Sequence, residues 1–257
     1  MKAAPFEMVR PAALADATAL LTRTGAHALA GGQSLGPMLN LRLARPTLLV
    51  PITHLAALRE VSETASSVTI GACITHAAIA DGGVPDIGLP DVGLNLLARV
   101  AEGIAYRAVR TRGTIGGSLC HADPAADWVT VLTTLSAEVL TTDGRVLSLR
   151  DFILGAFRTA LTPGELLRAV RVPKLSPTAR WGYVKACRKP GEFAHAMAAV
   201  LADRGMTRAV IGAVGGPPIV LEGASVTRTP DLPGLDAVDA HLQRVVLGRA
   251  MTQAGLA

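Results

Sequence analysis

The pattern of apolar and polar residues predicts a small α/β lobe at the start of the chain. From Pro11 to Arg23, apolar residues recur at helical spacing, and Gly25 follows as a helix terminator. Two continuous apolar runs after it are typical of buried strands. The predicted elements of this lobe, residues 1–52, are a helix over 11–23, a strand over 26–30, a short helix over 39–43 and a strand over 47–52.

Shorter strands and helices alternate from residue 53 to residue 174, which predicts a second lobe of α+β type. The dipeptide Asp143-Gly144 stands between two apolar runs and has a strong preference for a two-residue hairpin turn. Asp123 before Pro124 predicts a helix N-cap followed by a proline at the first helical position. The predicted elements are strands over 58–63, 67–72, 137–142, 145–149 and 166–172, and helices from Thr75, over 89–103 and over 124–136.

The remaining residues, 178–257, predict a smaller α+β domain after a linker that contains Pro173 and Pro177. Alternating and apolar runs predict strands over 182–188, 196–203 and 207–215, with the last two turning at Arg204-Gly205. A helix is expected from Asp236 onwards. The sequence therefore predicts a domain over 1–174, made of the two lobes, and a C-terminal domain over 178–257.

Composition excludes several classes of function. Half of the 257 residues are hydrophobic but only 3% are aromatic, so the core is expected to be aliphatic. The net charge is +5 without a run of lysine or arginine, which does not predict nucleic-acid binding. Three cysteines without metal-type spacing cannot build an iron–sulfur cluster or a zinc site. No run approaches the roughly 20 apolar residues of a membrane span, so we expect a cytoplasmic protein.

Two glycine pairs carry the candidate chemistry. Gly31-Gly32 and Gly116-Gly117 let the backbone approach a ligand closely or adopt positive φ. Free backbone amides in such loops can bind phosphate without lysine. Neither loop reads G-x-G-x-x-G or G-x-x-x-x-G-K-[ST], so the sequence predicts neither a Rossmann dinucleotide site nor a nucleotide triphosphatase. The two loops together predict a nucleotide site of another kind.

Three segments, spaced as they are here, carry a family resemblance: AGGQSLGPMLNLRLARPTLLVPI from residue 30, RGTIGGSLCHADPAAD from residue 112 and GYVKACRKPGEFA from residue 182. They resemble the FAD-binding medium subunit of molybdenum hydroxylases, the group that includes CO dehydrogenase, nicotinate dehydrogenase and xanthine dehydrogenase. The resemblance implies a two-lobed α+β FAD-binding domain of the vanillyl-alcohol-oxidase type. It also implies a C-terminal domain like that of the CO dehydrogenase flavoprotein, shortened here.

The resemblance implies FAD contacts at fifteen residues. Both glycine loops would bind the pyrophosphate through backbone amides. Asp127 would contact the ribose or adenine end, although it could instead complement a helix dipole. Lys185 would reach the flavin, although it could instead be a surface lysine at a strand end. Neither a catalytic acid or base nor a metal site is expected. The implied residues are Ala30, Gly31, Gly32, Gln33, Ser34, Leu35, Ala105, where many relatives carry glycine, Thr114, Ile115, Gly116, Gly117, Ser118, Asp127, Leu166 and Lys185.

The function implied by the resemblance is that of an electron-transfer flavoprotein subunit. It would work beside a small subunit with 2Fe–2S clusters and a large subunit with the molybdenum cofactor, in a dimer of heterotrimers. The acceptor would be NAD, a quinone or oxygen. Two alternatives are a non-redox assembly protein derived from the flavin fold and a stand-alone flavin oxidase. Retained glycine loops favour flavin binding, and the lack of a histidine or tyrosine constellation disfavours the oxidase.

Overall fold

A parallel three-stranded sheet forms the first lobe of the structure, a computed structural model that describes residues 2–88 and 96–256. Helical crossovers join its strands, as parallel pairing requires. The first helix is shorter than predicted, and the second one begins at Leu35, directly after the first glycine loop, instead of at Leu39. The elements are β1 (Glu7–Met8), α1 (Leu14–Leu21), β2 (Ala26–Leu29), α2 (Leu35–Asn40) and β3 (Leu48–Pro51), with strand order β1-β3-β2.

An antiparallel five-stranded sheet forms the second lobe, in the order β4-β5-β10-β6-β7, and confirms the predicted strands. Its strands are β4 (Val61–Glu63), β5 (Ser67–Gly71), β6 (Glu138–Thr141), β7 (Val146–Ser148) and β10 (Leu167–Pro173). Two further strands, β8 (Ile153–Gly155) and β9 (Arg158–Thr159), form a separate hairpin that was not predicted. Gly144 takes φ +80° in the turn after β6. The Thr141 amide donates to Arg145 O at 3.0 Å, so the turn holds three residues instead of two.

Helices connect and cover this sheet. They are α3 (His76–Ala80), α4 (Leu96–Glu102), α5 (Arg107–Arg110), α6 (Ile115–His121), α7 (Asp127–Thr134) and α8 (Leu149–Phe152). Thr75 caps α3 by accepting from Ala78 N, which confirms the predicted start. The predicted helix 89–103 is helical from Leu96, and its residues 89–95 lie outside the described residues.

The predicted helix start at Asp123 is wrong. Asp123 Oδ1 accepts from Ala125 N at 2.9 Å and forms a turn, and α7 begins only at Asp127, after Ala126. The second glycine pair lies inside a helix of its own, α6, whose N-cap is Thr114. Thr114 Oγ1 accepts from Gly117 N at 3.0 Å. The glycine motif is therefore a helical turn and not an open loop.

An antiparallel four-stranded sheet and a long helix form the C-terminal part. The strands β11 (Arg180–Ala186), β12 (Ala196–Asp203), β13 (Met206–Gly212) and β14 (Ile219–Glu222) pair in that order, and α9 (Ala237–Gln253) follows. Arg204 and Gly205 both have positive φ, +49° and +77°, as the predicted turn requires. Asp236 caps α9 by accepting from the amides of Val238 and Asp239. Both predictions for this region are confirmed.

Two helices sandwich the C-terminal sheet. All eight residues of β12 are buried, with α7 packed on one face of the sheet and α9 on the other. Glycines permit both approaches: a Cβ at Gly212 would lie 1.9 Å from Thr130 Oγ1 of α7, and one at Gly182 would lie 1.9 Å from Ala250 O of α9. The predicted linker is anchored, because buried Leu175 donates its amide to Ile87 O at 2.7 Å.

Candidate functional site

A cavity of about 860 Å³ opens between the first lobe, α6 and the segment that follows β9. Its volume suits a large organic ligand, since such pockets commonly measure roughly 300–1,000 Å³. Thirteen of the fifteen predicted contact residues line it. The two exceptions are Ile115, which is fully buried in the core, and Lys185, which lines an adjacent pocket of about 660 Å³.

The first glycine loop keeps its backbone donors free. The amides of residues 31–34 have no acceptor in the described part of the chain, and all four residues line the cavity. Gly32 takes φ +68°, where a side chain would be strained. Gln33 Nε2 donates to Gly31 O at 2.9 Å and braces the loop from within. Adjacent amides of this kind form a concavity for an anion.

The second glycine motif differs from the first in its backbone amides. Its amides are already bonded: Ile115 N donates to Ile74 O at 3.0 Å, Gly116 N to Ala72 O at 2.9 Å and Gly117 N to Thr114 Oγ1. Ser118 N likewise donates to Thr114 O. These intramolecular bonds occupy the amides of residues 115–118, and binding of the pyrophosphate by Thr114 to Ser118 stays a prediction.

Close packing explains the glycines of the second motif. Gly116 and Gly117 do not have positive φ, contrary to the prediction. A Cβ at Gly116 would lie 2.5 Å from Ala72 Cβ and 2.7 Å from Ala72 O, so glycine lets α6 press against the end of β5. The Ser118 hydroxyl has no partner in residues 2–88 and 96–256 and remains available in the cavity wall. This motif shapes the cavity more than it supplies amides.

Asp127 and Lys185 form a buried ion pair. Lys185 Nζ lies 3.0 Å from Asp127 Oδ1, and the two side chains are 10% and 5% exposed. Tyr183 donates its hydroxyl to the same oxygen at 2.8 Å, and burial, then the Asp127 charge, raises the pKa of Tyr183 far above its ordinary value. The alternative of a surface lysine is thus wrong. The resemblance assigned Asp127 and Lys185 to different ends of the cofactor, whereas the structure places their charged groups in contact.

Ala105 lies where the cavity meets the adjacent pocket and lines both. Its φ of +45° explains why glycine suits this position. The Ala105 amide donates to Gly191 O at 3.0 Å, and Arg110 donates to the carbonyls of Ile104 and Ala105 at 2.9 and 2.7 Å. Arg110 is therefore half-buried and holds this segment in place.

Sequence reasoning missed a buried His76–Trp128 pair in the cavity wall. Trp128 Nε1 donates to His76 Nδ1 at 3.1 Å, which assigns the imidazole proton to Nε2. Burial, followed by the charge of Arg110, lowers the pKa of His76 to about 4, so the ring is neutral at physiological pH. The two residues stand 52 positions apart, and a lone histidine gives no local signal of such a partner.

Sequence reasoning also missed an ion pair between Arg145 and Glu165, next to Leu166. Glu165 is fully buried and accepts from Arg145 Nε at 2.8 Å and from Thr162 N at 3.0 Å, while Arg145 Nη2 bonds its second oxygen. Burial raises the pKa of Glu165, but the hydrogen bonds from Arg145, Thr141 and Thr162 outweigh burial and lower it to about 2. The pair holds the segment whose residues Leu161, Pro163 and Leu166 line the cavity.

Neither a metal site nor a membrane helix is found in the part of the chain that the structure describes. No three His, Cys, Asp or Glu side chains there lie close enough together to hold an ion. His121, which lines the cavity, packs its ring 5.1 Å from that of Phe157. Within the same residues, no helix combines the length and the apolar character needed to cross a bilayer.

Comparison with known proteins gives a consistent family. Residues 4–175 match the family described as FAD binding domain in molybdopterin dehydrogenase. The chain is 37% identical over 217 residues to the carbon monoxide dehydrogenase medium chain of Afipia carboxidovorans, covering 82% of this chain and 73% of that protein. It is 32% identical over 207 residues to caffeine dehydrogenase subunit beta of Pseudomonas sp. strain CBB1, covering 78% and 68%.

The fold gives the same result. A chain of carbon monoxide dehydrogenase from Hydrogenophaga pseudoflava matches with a TM-score of 0.86 and 29% identity, covering 99% of both chains. The predicted α+β FAD-binding fold and the predicted family are thereby confirmed. The chain belongs to the FAD-binding medium subunits of molybdenum hydroxylase-type dehydrogenases and is an FAD-dependent oxidoreductase subunit.

Proposed function

We propose that this chain relays electrons from iron–sulfur clusters on a partner subunit to an external acceptor. The cavity with free amides at residues 31–34 carries the proposal, because it offers an anion site for the cofactor that would carry the electrons. When bound, the isoalloxazine of FAD supplies the redox chemistry. The chain itself binds, orients and shields the cofactor.

The residues present fit FAD. Four free amides suit a pyrophosphate. The missing side chain of Gly31 lets this loop lie against the backbone of Arg112, and glycine at position 32 permits its positive φ. The hydroxyls of Ser34 and Ser118 face the same cavity, and Leu166 and Ala105 offer apolar surface to a planar ring. We assign the fifteen predicted residues to this site, with Ile115 acting only through packing and Lys185 acting from the adjacent pocket.

We also propose that the C-terminal domain, residues 178–257, completes the site of the FAD-binding domain, residues 1–174. Lys185 and Tyr183 lie on β11 of the C-terminal domain and reach Asp127 on α7. Phe193, from the segment between β11 and β12, lines the cavity. These contacts weigh against the assembly-only alternative, because an assembly module would not need a buried ion pair at the cofactor cavity.

The proposed partner subunits are inferred from the positions of the three cysteines. Cys73 is buried, while Cys120 and Cys187 lie at the main cavity and the adjacent pocket, so no cluster ligation is available. The iron–sulfur clusters would belong to a small subunit and the molybdenum cofactor to a large one, in a dimer of heterotrimers in the cytoplasm. NAD, a quinone or oxygen would accept the electrons. The relative from Afipia carboxidovorans is named a medium chain, which is consistent with partner chains of this kind.

The purified chain should show flavin absorption bands but no substrate oxidation of its own. Anaerobic mixing of the FAD-loaded chain with N-heterocycles, aldehydes, purines and CO should leave the bands unbleached, because substrate chemistry requires the molybdenum subunit. Adding both partner subunits should restore bleaching by the true substrate. Rapid bleaching without partners would instead establish a stand-alone oxidase, and a colourless chain that cannot take up FAD would establish the assembly protein.

FAD should protect Cys120 from alkylation. Cys120 is exposed and lines the cavity. Iodoacetamide at pH 9 should therefore modify it in the apoprotein, and saturating FAD should slow that reaction at least about tenfold, because the bound cofactor would cover the thiol. Mass spectrometry of the peptides provides the rates. Cys187, outside the main cavity, is the internal control, and equal Cys120 rates with and without FAD would place the cofactor elsewhere.

A further inference from the structure

Tyr183 links the C-terminal sheet to the Asp127–Lys185 ion pair. Tyr183 and Lys185 are two residues apart on β11, so both side chains leave the same face of the sheet, the face toward α7. The Tyr183 hydroxyl donates to Asp127 Oδ1 at 2.8 Å, a charge-assisted hydrogen bond. Tyr183 itself lines neither the main cavity nor the adjacent pocket. It can affect a ligand only through Asp127.

The donors of Lys185 are all in use. Its Nζ donates to Asp127 Oδ1 at 3.0 Å, to Asp127 Oδ2 at 3.1 Å and to Gly103 O at 3.2 Å. An ammonium group has three N–H donors, so none is left for a cofactor. Asp127 already accepts three hydrogen bonds, one of them from Tyr183. The pair is therefore suited to act on a cofactor through its charge and not through a direct bond.

The position of the pair indicates which end of FAD it faces. The free amides suited to the pyrophosphate belong to the first lobe, whereas Asp127 and Lys185 lie between the main cavity and the adjacent pocket. Ala105, which lines both spaces, marks the same boundary. An external acceptor must reach the isoalloxazine from outside the cavity. The adjacent pocket adjoins the cavity at the boundary marked by Ala105, so this is the side from which an acceptor could approach. The pair accordingly lies at the redox end.

We infer that Tyr183 is a positioning residue that holds the Asp127–Lys185 pair as one charged unit beside the isoalloxazine, and that this unit sets the reduction potential of the flavin. The inference rests on the proposed function and deepens it. The hydroxyl donated by Tyr183 offsets part of the charge of the Asp127 carboxylate. Without it, the uncompensated carboxylate opposes the gain of negative charge on the ring, so the flavin becomes harder to reduce.

The test is Tyr183→Phe, which removes one hydroxyl and keeps the ring. FAD content and thermal stability should stay near those of the unchanged protein, while spectroelectrochemical titration should give a more negative midpoint potential. Asp127→Asn should move the potential in the opposite direction, because it removes the carboxylate charge. In the double variant, the shift caused by Tyr183→Phe should vanish, because the residue acts through that charge.

Thr252→Val is the control. Thr252 is exposed on α9, lines neither the main cavity nor the adjacent pocket, and bonds its hydroxyl to Gly248 O at 3.1 Å, so loss of that hydroxyl should leave the potential unchanged. An unchanged potential in Tyr183→Phe, an equal shift in the control, or loss of FAD from a folded Tyr183→Phe protein would each overturn the inference. Failure of the proposed function would look different, because then the unchanged protein would either bind no FAD or be bleached by a substrate in the absence of partners.

Discussion

Replacing Gly31 with valine should yield a folded chain that retains no FAD. A Cβ at Gly31 would lie 2.0 Å from Arg112 O and 2.8 Å from Gly113 Cα, both of them backbone atoms. The first glycine loop would have to move away from the second motif, and its free amides would move with it. Binding depends on these donors being preorganised, so their displacement removes the anion site. The ratio of flavin to protein absorbance after purification measures the loss.

Gly36→Ala is the matched control for this prediction. Gly36 lies five residues further on, in α2, and a Cβ there meets no atom within 4 Å. Alanine also favours the helix, so this variant should retain FAD fully. Gly32→Val should fail as Gly31→Val does, because the φ of +68° strains a branched residue. Stoichiometric FAD in a folded Gly31→Val protein would refute the assignment of the loop to the cofactor.

Arg145→Met should lower the free energy of unfolding by more than the loss of an exposed ion pair does, because it leaves a buried carboxylate without its ionic partner. Glu165 is fully buried and keeps only its hydrogen bonds from Thr141 and Thr162 in the variant. The segment that carries Leu166 should loosen, so FAD affinity should fall together with stability. Urea denaturation with and without FAD separates the two effects.

The same pair predicts an acid dependence. The folded-state pKa of Glu165, about 2, lies below its ordinary value of 4.5, so the stabilisation is complete above pH 4.5 and is lost as the pH falls toward 2. Arg145→Met should remove most of this dependence. Arg171→Met is the control, because its pair with Glu138 is 38% and 40% exposed and should contribute less than about 1 kcal/mol. Equal losses in the two variants would contradict the role of burial.

Local signals in the sequence were sufficient wherever a few consecutive residues decide the structure. Gly144 and Arg204-Gly205 adopt positive φ in the predicted hairpin turns, and Thr75 and Asp236 cap the predicted helices. Each of these features depends on a backbone conformation or hydrogen bond within four residues. The glycine pairs belong to the same group, which is why they located the cavity.

Asp123 shows where local signals are ambiguous. An aspartate that accepts from the amide two residues ahead occurs both at a helix N-cap and in an isolated turn. Here the carbonyl of Pro124 accepts from Ala213 N at 2.9 Å, a contact with the C-terminal part that draws the backbone away from a helix. The local sequence contains no trace of that bond, so the start of the helix was placed three residues too early.

The missed parts of the site depend on contacts between residues that are far apart in sequence. Tyr183 is 56 positions from Asp127, and Arg145 is 20 positions from Glu165. Composition and periodicity describe each of these side chains as an ordinary strand or loop residue. Pairing Asp127 with Lys185 requires the register of the C-terminal sheet against α7, which only the folded chain defines. For that reason the family resemblance found the members of the pair but not their contact.

The helices packed against both faces of β12 have a consequence for the rate at which electrons could leave the protein. Gly212 against Thr130 and Gly182 against Ala250 leave no room for the sheet to slide over either helix. The C-terminal domain should therefore not swing relative to the cavity, and the separation between the flavin and a docked redox centre should be the same in every turnover. The rate of electron tunnelling falls steeply with distance. A fixed distance between the flavin and the docked centre would therefore give a single tunnelling rate and not a range of rates.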